Sequence, residues 1–475
     1  MKVVWLFPPV KDGFPNVSQY RFYKKMPIRI SIIYPYLAAS GATQIQEAGH
    51  EIIFQDCPTM ELKWSDVEGS IINADLVIME GRTPVMNQVW HAINMIEQIN
   101  HQAKIAIYGD HVSWNPAETL EMGADVILQG GDFDYSAAWL VKRMAEGRKM
   151  KGVINCGLLG NEQLDRLPWV DRELVPWEMY YESWRKRNTF MWNMGMRGCF
   201  YHCVYCAWAG TFWENRLRYR NPRSVADETA RLFRKYGELE ILDDSDLFEL
   251  APWGKVFAES LMDKGFKSQE VLWSCQTHPS QVVKAREFMP MLKKSGLRVV
   301  KMGIESGNDR SLLFMRKGTT RKQCEKAIRI LQENDVMVHA NMMIGFPWES
   351  RRDVEETLSW IKKLDPNQAQ FSLVIPYPNT ELWHMAEKRE WFIQDPADWS
   401  LYDAEFPMMQ MDGLSGEEIV DLYRHAWSSF YLNPRYIWRH LKTVRHLEGI
   451  MHLWRGFRSV RFGHMKAVSK KRGKQ

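Results

Sequence analysis

The chain of 475 residues is long enough for two to four domains of ordinary size. With 45% hydrophobic and 25% charged residues it has the composition of a globular protein, which excludes a disordered chain, a collagen-like repeat and a small disulfide scaffold. The N-terminal region contains neither a long apolar run nor a signal-peptide pattern, so we expect a cytoplasmic protein.

Short runs rich in β-branched residues predict an N-terminal α/β domain over residues 1–150. Helical segments separate these runs, and this alternation predicts a doubly wound parallel sheet. Such sheets bind ligands at the carboxyl ends of their strands, where Gly109, His111 and Gly130 stand. The alternative is that the glycines only form tight turns. The predicted strands are residues 3–7, 50–55, 74–80, 104–109 and 124–131.

Residues 151–188 are polar, contain Trp and Pro and predict an ordered linker. From 189 to 385 strands and helices alternate again, which predicts a partial (β/α)6 barrel with its chemistry at the strand carboxyl ends. The predicted strands are 189–195, 239–244, 271–275, 299–305, 337–345 and 370–376, and the helices are 224–236, 253–264, 285–294, 321–333 and 354–363.

Residues 386–475 form a helical, basic C-terminal region. After a helix over 412–431, an apolar stripe runs from Ile437 to Phe457, and residues 434–475 hold 12 Lys or Arg against the single acid Glu448. Such a helix can lie peripherally on an anionic membrane surface, or pack on the barrel with its charges in water. Because no nucleic-acid-binding module accompanies the basic tail, we expect no nucleic-acid partner.

Three of the seven cysteines, Cys199, Cys203 and Cys206, follow the first barrel strand directly. Three thiolates at this spacing can converge on one inorganic centre. A structural zinc site needs four ligands, and the nearby His202 adjoins Cys203 and would have to point the same way. An ordinary cubane cluster also uses four cysteines. Three cysteines leave one iron open for a substrate.

The CxxxCxxC spacing, with Tyr205 before its last cysteine, resembles the radical S-adenosylmethionine (SAM) superfamily. The resemblance implies that Cys199, Cys203 and Cys206 bind a 4Fe–4S cluster whose open iron is chelated by SAM. Reductive cleavage of SAM would then give methionine and a 5′-deoxyadenosyl radical, with an electron donor such as flavodoxin or ferredoxin. Tyr205 is included among the expected SAM contacts.

Further expected SAM contacts follow from the same resemblance. Asp243 and Asp244 stand where the family usually has a Gly-Gly-Glu that holds the SAM ammonium, and a carboxylate suits that group as well. Glu305 and Ser306 match the fourth-strand motif that contacts the ribose and carboxylate, and Gly345 matches the fifth-strand end near the adenine. Taken alone, paired carboxylates at a strand end are more often helix caps or solvated turn residues.

The N-terminal sheet joined to this barrel resembles the cobalamin-dependent (class B) branch of the superfamily. The resemblance implies cobalamin contacts at Gly109, His111 and Gly130. The DxHxxG loop that supplies a cobalt-ligating histidine elsewhere is absent, since Asp110 and His111 are adjacent. We therefore expect no histidine on cobalt, and a solvated loop position for His111 is an equal alternative.

Within that branch the chain is similar to the radical SAM proteins of hopanoid biosynthesis and to the anaerobic magnesium-protoporphyrin monomethyl ester cyclase. The cyclase likeness includes residues 212–220. Both groups imply a hydrophobic small-molecule substrate, which is methylated or undergoes ring formation or rearrangement. His278, His339 and Tyr377 are candidates for proton or radical handling. The rival hypothesis is a non-catalytic cobalamin or iron–sulfur sensor that kept the fold.

Overall fold

The computed structural model describes residues 1–9, 31–266, 269–402 and 406–443. Within these ranges the chain forms two six-stranded parallel sheets and one short antiparallel ribbon. No helix in them is long and apolar enough to span a bilayer.

The first sheet has the strand order β2-β1-β3-β4-β5-β6 and is parallel throughout. Its strands read as continuous apolar runs because both faces are covered: Trp5 and Ile78 lie in the core on one face, and Val4 and Val77 in the core on the other. The elements are β1 Lys2–Phe7, α1 Tyr36–Glu47, β2 Glu51–Asp56, α2 Cys57–Met60, α3 Trp64–Ile71, β3 Leu76–Glu80, a 3₁₀ turn Thr83–Val85, α4 Met86–Ile99, β4 Lys104–Tyr108, α5 Asp110–Trp114, α6 Pro116–Glu121, β5 Val126–Gln129, α7 Phe133–Ala145 and β6 Gly152–Asn155.

Strand β6 was not predicted, and it moves the end of the first sheet beyond residue 150. It pairs with β5 from Val126 to Gln129. As a four-residue edge strand it buries little side-chain area, and its residues alternate between intermediate and exposed. It therefore lacks the continuous apolar run that identified the other strands.

The segment after β6, within the predicted linker, packs on the first domain. It contains α8 (Asn161–Asp165) and a 3₁₀ turn (Trp177–Met179). The buried Tyr180 hydroxyl donates to Asp56 at 2.8 Å, which ties this segment to the first sheet.

The second sheet has the order β14-β13-β12-β11-β10-β7 and forms the predicted open half-barrel. Its elements are β7 Phe190–Asn193, the ribbon strands β8 Met196–Arg197 and β9 Arg218–Tyr219, α9 Ala209–Trp213, α10 Pro222–Tyr236, β10 Leu239–Asp243, α11 Trp253–Asp263, β11 Val271–Thr277, α12 Pro279–Lys284, a 3₁₀ turn Arg286–Phe288, α13 Met289–Lys294, β12 Leu297–Glu305, α14 Asp309–Phe314, α15 Arg321–Glu333, β13 Met337–Ile344, α16 Arg351–Leu364, β14 Gln368–Leu373 and α17 Glu381–Lys388.

One predicted barrel helix, 285–294, is wrong in part. The structure has a 3₁₀ turn followed by the separate helix α13, because Pro290 lacks the N–H needed to continue a helix and sits instead in the first turn of a new one.

The C-terminal region contains a 3₁₀ turn (Trp399–Leu401), α18 (Gly416–Tyr431) and α19 (Pro434–Thr443). Helix α18 begins four residues later than predicted, where Ser415 and Glu418 form a capping box. In α19 Trp438 is 61% exposed. The rest of the predicted apolar stripe, through Phe457, and most of the basic tail lie outside the described residues.

Candidate active site

The three clustered cysteines lie on an irregular loop after the first barrel strand, between β8 and α9. Cys199 and Cys203 are half-buried, and Cys206 is exposed. Burial, and secondarily the neighbouring Cys206 and Cys203 thiols, raise the pKa of Cys199 to about 12. His202, the alternative zinc ligand, is exposed.

In the described part of the chain no three His, Cys, Asp or Glu side chains are grouped to hold a single metal ion. A cubane cluster differs from a single ion because each thiolate binds a different iron, and its ligands therefore stand further apart. Three soft thiolates on one irregular loop are a donor set that fits an iron–sulfur cluster.

A buried charged group stands beside this loop. The Glu305 carboxylate accepts a hydrogen bond from the Tyr205 hydroxyl at 3.1 Å and pairs with the Lys317 ammonium at 2.8 Å. Burial opposes the charge on Lys317, but Glu305 and Cys203 raise its pKa above the ordinary value. Glu305 follows a bulge in β12 and has φ 63°, a left-handed conformation that side chains seldom adopt. Lys317 was not identified from the sequence.

The two predicted carboxylates at the end of β10, Asp243 and Asp244, differ in their burial. Asp243 is buried, and its oxygens accept from the backbone N–H groups of Gly195 and Ser245 at 2.8 and 3.0 Å. Burial raises the pKa of Asp243 to about 6, although the Ser245 hydrogen bonds oppose this. Asp244 is half-buried and falls on the inner face of the barrel, because Leu242 two residues earlier lies there.

Of the remaining predicted SAM contacts, Gly345 lies near the cysteine loop and Ser306 is directed toward a helix. Gly345 directly follows β13, and the ring of its neighbour Phe346 lies 5.8 Å from that of Tyr205. The structure therefore brings this strand end to the cysteine loop. Ser306 is buried, and its hydroxyl donates to Glu349 at 2.8 Å, so it points toward α16. The predicted contact of Ser306 with SAM stays a prediction.

The predicted cobalamin residues lie together at the carboxyl edge of the first sheet. The Ser113 hydroxyl donates to the Gly109 carbonyl and accepts from the Gly130 N–H at 2.9 Å, which joins the ends of β4 and β5. Gly109 has φ 140°, and a Cβ there would lie 2.1 Å from the Gly81 carbonyl oxygen. The backbone at this edge is therefore closely packed, and only glycine fits at position 109.

The interpretation of His111 as a solvated loop residue is wrong. The ring is 1% exposed. Its nitrogens lie 3.0 Å from Glu118 and 3.3 Å from Thr83. Trp399 covers it at 4.8 Å between ring centroids and donates to Glu118 at 3.0 Å. Both ring nitrogens have partners in the first domain, and the contacts of Trp399 with the ring and with Glu118 join the C-terminal region to the first sheet.

A buried ion-pair network joins the carboxyl edge of the first sheet to the ribbon of β8 and β9, which flanks the cysteine loop. Arg197, from β8, pairs with Asp132 at 2.8 Å and with Asp134 at 2.7 Å. Arg218, from the stretch that resembles the cyclase, also pairs with Asp132. Gly130 lies beside the Thr211 carbonyl of α9. The predicted cobalamin edge therefore lies next to the segment that follows the cysteine loop.

Comparison with known proteins agrees with this arrangement. Residues 194–361 match the family model of the Radical SAM superfamily. An uncharacterized methyltransferase of Pyrococcus horikoshii is 26% identical over 92% of this chain and 93% of its own length. The anaerobic magnesium-protoporphyrin IX monomethyl ester cyclase of Rubrivivax gelatinosus is 23% identical over 92% of this chain and 78% of its own.

Among solved structures, the chain is similar to the cobalamin-dependent S-adenosylmethionine radical enzyme OxsB with aqua-cobalamin and SAM bound. The TM-score is 0.70 and the sequence identity is 13%. The likeness covers 98% of this chain and 71% of the OxsB chain. This likeness confirms the predicted fold class. Residues 194–361 are therefore a radical SAM domain, and the relatives that match most of the chain are named a methyltransferase and a cyclase. The family implies SAM and a 4Fe–4S cluster as cofactors.

Proposed function

We propose that this chain is a cobalamin-dependent radical SAM methyltransferase acting on a hydrophobic substrate. The observation that carries the proposal is the contact between the carboxyl edge of the first sheet and the ribbon that flanks the cysteine loop. The buried pairs of Arg197 with Asp132 and Asp134 hold the glycine-rich edge of the first sheet against the segment around the cysteine loop. The names of the Pyrococcus relative and of the OxsB structure support this proposal.

The chain offers distinct residues to each group. Cys199, Cys203 and Cys206 would hold the cluster, and Asp244 and Glu305 would bind SAM. The edge around Gly109 would contact the corrin. When bound, these groups supply a 5′-deoxyadenosyl radical and a transferable methyl group.

The chain's own residues orient these ligands and exclude water. Lys317 holds the Glu305 carboxylate in place, because the pair is buried and hydrogen-bonded. The half-buried Trp114 ring lies 6.0 Å from the ring of Trp383 and 5.7 Å from that of Trp399. These three rings offer apolar surface where the C-terminal region meets the first sheet, and such surface suits a hydrophobic substrate.

Ring formation on the substrate is a second candidate function. The likeness to the Rubrivivax cyclase extends over 92% of this chain, including both sheets. Both reactions need the same cofactors, so products must separate them. S-adenosylhomocysteine should accumulate beside 5′-deoxyadenosine if the chain methylates, and it should be absent if the chain forms a ring.

The proposed radical SAM activity is tested by measuring reductive SAM cleavage by the reconstituted protein under anaerobic conditions. We expect 5′-deoxyadenosine from the wild type and from Cys57→Ala, a buried cysteine in the first domain, but none from Cys203→Ala. Equal yields from Cys203→Ala, or no cleavage by the wild type, would contradict the proposal and favour a non-catalytic sensor. Protein purified after corrin supply should show corrin absorbance, and its absence would remove cobalamin from the proposal.

A further inference from the structure

The inner face of the half-barrel carries a band of polar side chains. On β13, Val338, Ala340 and Met342 pack into the core beneath the helices. Side chains alternate along a strand, so His339 and Asn341 face the lumen.

The strand register aligns these residues with polar neighbours. Gln276 of β11 is level with Lys301 of β12, Lys301 with His339, and His339 with Gln368 of β14. We call these four residues the polar tier. One step nearer the carboxyl edge, Asn341 is level with Gln370.

The polar tier keeps partial solvent exposure and unused hydrogen-bonding capacity. Gln276, Lys301 and Gln368 keep partial exposure, although their neighbours along the strands are buried. His339 is 8% exposed, and within the described residues neither of its ring nitrogens has a hydrogen-bond partner. Gln368 and Gln370 lie near the ring without meeting hydrogen-bond geometry. A buried polar group without a partner is costly, so a protein that retains one usually uses it.

The charge in the polar tier is already neutralised. Lys301 pairs with Glu182 at 3.1 Å, and Glu182 also accepts from the Ser31 hydroxyl. Burial, and secondarily the Lys301 ammonium, lower the pKa of His339 to about 3. A neutral imidazole offers one donor and one acceptor, as the neighbouring amides do.

The polar tier lies directly below the predicted SAM site. Gly303 is the next position on the inner face of β12 after Lys301, and a Cβ there would lie 2.4 Å from Glu305 Oε1 and 2.6 Å from Lys317 Nζ. A group held by the polar tier would therefore lie deeper in the barrel than Glu305 and next to it.

We propose that the polar tier binds an uncharged substrate group that both donates and accepts hydrogen bonds, such as an amide, lactam or hydroxyl, and that His339 is the residue that selects it. This inference rests on the proposed function and deepens it. The substrate is then amphipathic: its bulk is apolar, but the end that enters the barrel is polar. A pure hydrocarbon would leave the buried nitrogens of His339 unpaired, and a carboxylate would meet a neutral imidazole and amides without a free cation.

The test compares three probes of similar shape by isothermal titration into the reconstituted full chain under anaerobic conditions: benzamide, toluene and benzoate. We expect benzamide to bind at least about tenfold more tightly than either other probe, since one or two net hydrogen bonds are gained. In His339→Leu and in Gln368→Leu the preference should fall to about threefold or less. His425→Leu, on the exposed face of α18, should keep the full preference.

The inference is overturned if toluene or benzoate binds as tightly as benzamide, if benzamide does not bind up to its solubility limit, or if His339→Leu keeps the preference. SAM cleavage by the same preparations is measured separately. If the protein prefers benzamide but forms no 5′-deoxyadenosine, the proposed function is contradicted and this inference stands. If the protein cleaves SAM but shows no preference for benzamide, this inference is contradicted and the proposed function stands.

Discussion

The Lys317 ammonium lies 2.8 Å from the Glu305 carboxylate, and both side chains are nearly excluded from solvent. Removing one partner of a buried pair leaves the other charge uncompensated. Lys317→Met should therefore lower the free energy of unfolding by about 3–5 kcal/mol, measured by urea denaturation with tryptophan fluorescence.

The adjacent Arg316 provides a matched control. Its pair with Glu381 is exposed, at 58% and 44% of the two side chains, so Arg316→Met should cost less than about 1 kcal/mol. Adding Glu305→Gln to Lys317→Met should restore part of the lost stability, because no buried charge remains unpaired. A loss in Lys317→Met no larger than that in Arg316→Met would show that the buried pair does not stabilise the fold.

Gly109→Ala should disrupt the carboxyl edge of the first sheet. Its Cβ would lie 2.1 Å from the Gly81 carbonyl oxygen, so the ends of β3 and β4 would have to separate. We expect a loss of at least about 3 kcal/mol in unfolding free energy, combining backbone strain and overpacking, and loss of corrin absorbance.

A substitution at Gly49 separates the effect of backbone strain from the effect of overpacking. It also has a positive φ, but a Cβ added to it would meet no described atom within 4 Å. Gly49→Ala should cost only about 1 kcal/mol and keep the corrin. Similar losses in both variants would mean that backbone conformation, and not the close contact with Gly81, dominates.

The sequence predicted the fold well because parallel strands covered on both faces are continuous apolar runs. The sequence also predicts that the cysteine loop and the strand ends share one edge, where carboxyl ends of parallel strands meet; the strand-end residues are Asp243, Asp244, Cys275, Glu305 and Gly345. The structure brings Glu305, and Phe346 beside Gly345, to Tyr205 of that loop. Strand β6 was not predicted, because a short, half-exposed edge strand carries no apolar run.

Lys317 and Trp399 could not be predicted for a different reason. Each lies outside a regular strand, and its role depends on partners far away in the chain: Trp399 donates to Glu118, 281 residues earlier. Local periodicity carries no information on such contacts. The burial of His111 was missed for the same reason, because the ring is covered by Trp399.

His278 should make the fold sensitive to acid. Burial, and then the Lys317 charge, lower the pKa of His278 to about 3 from 6.5. Between these values the unfolded chain binds more protons than the folded chain, so stability falls as the pH decreases from about 6.5 toward 3, by about 1.4 kcal/mol per pH unit for this group.

The structure gives the reason for this shift. Nε2 lies 2.9 Å from the Lys317 carbonyl oxygen, and Nδ1 accepts a hydrogen bond from the Ser280 N–H, which a second ring proton on Nδ1 would break. His278→Asn keeps an acceptor at the start of α12 and should reduce the slope of unfolding free energy against pH. His425→Asn should leave the slope unchanged. An unaltered slope in His278→Asn would assign the acid sensitivity to other groups, including His339.

Substitutions of the adjacent residues Asp243 and Asp244 should have different effects, the first on the stability of the fold and the second on SAM binding. Asp243 turns its carboxylate to the Gly195 and Ser245 N–H groups, so Asp243→Ala leaves buried donors unpaired and should cost about 2–3 kcal/mol of unfolding free energy. Asp244→Asn should instead weaken SAM binding at least about tenfold, through loss of a charge-assisted hydrogen bond.

Equilibrium dialysis with labelled SAM measures the affinity, and iron content checks that cluster loading is equal in both variants. If Asp243→Ala lost SAM affinity at full iron content while Asp244→Asn kept it, the assignment would be reversed. The buried carboxylate would then be the SAM ligand. In that case the loop at Gly195 would have to open before SAM could reach Asp243, because both carboxylate oxygens accept backbone hydrogen bonds.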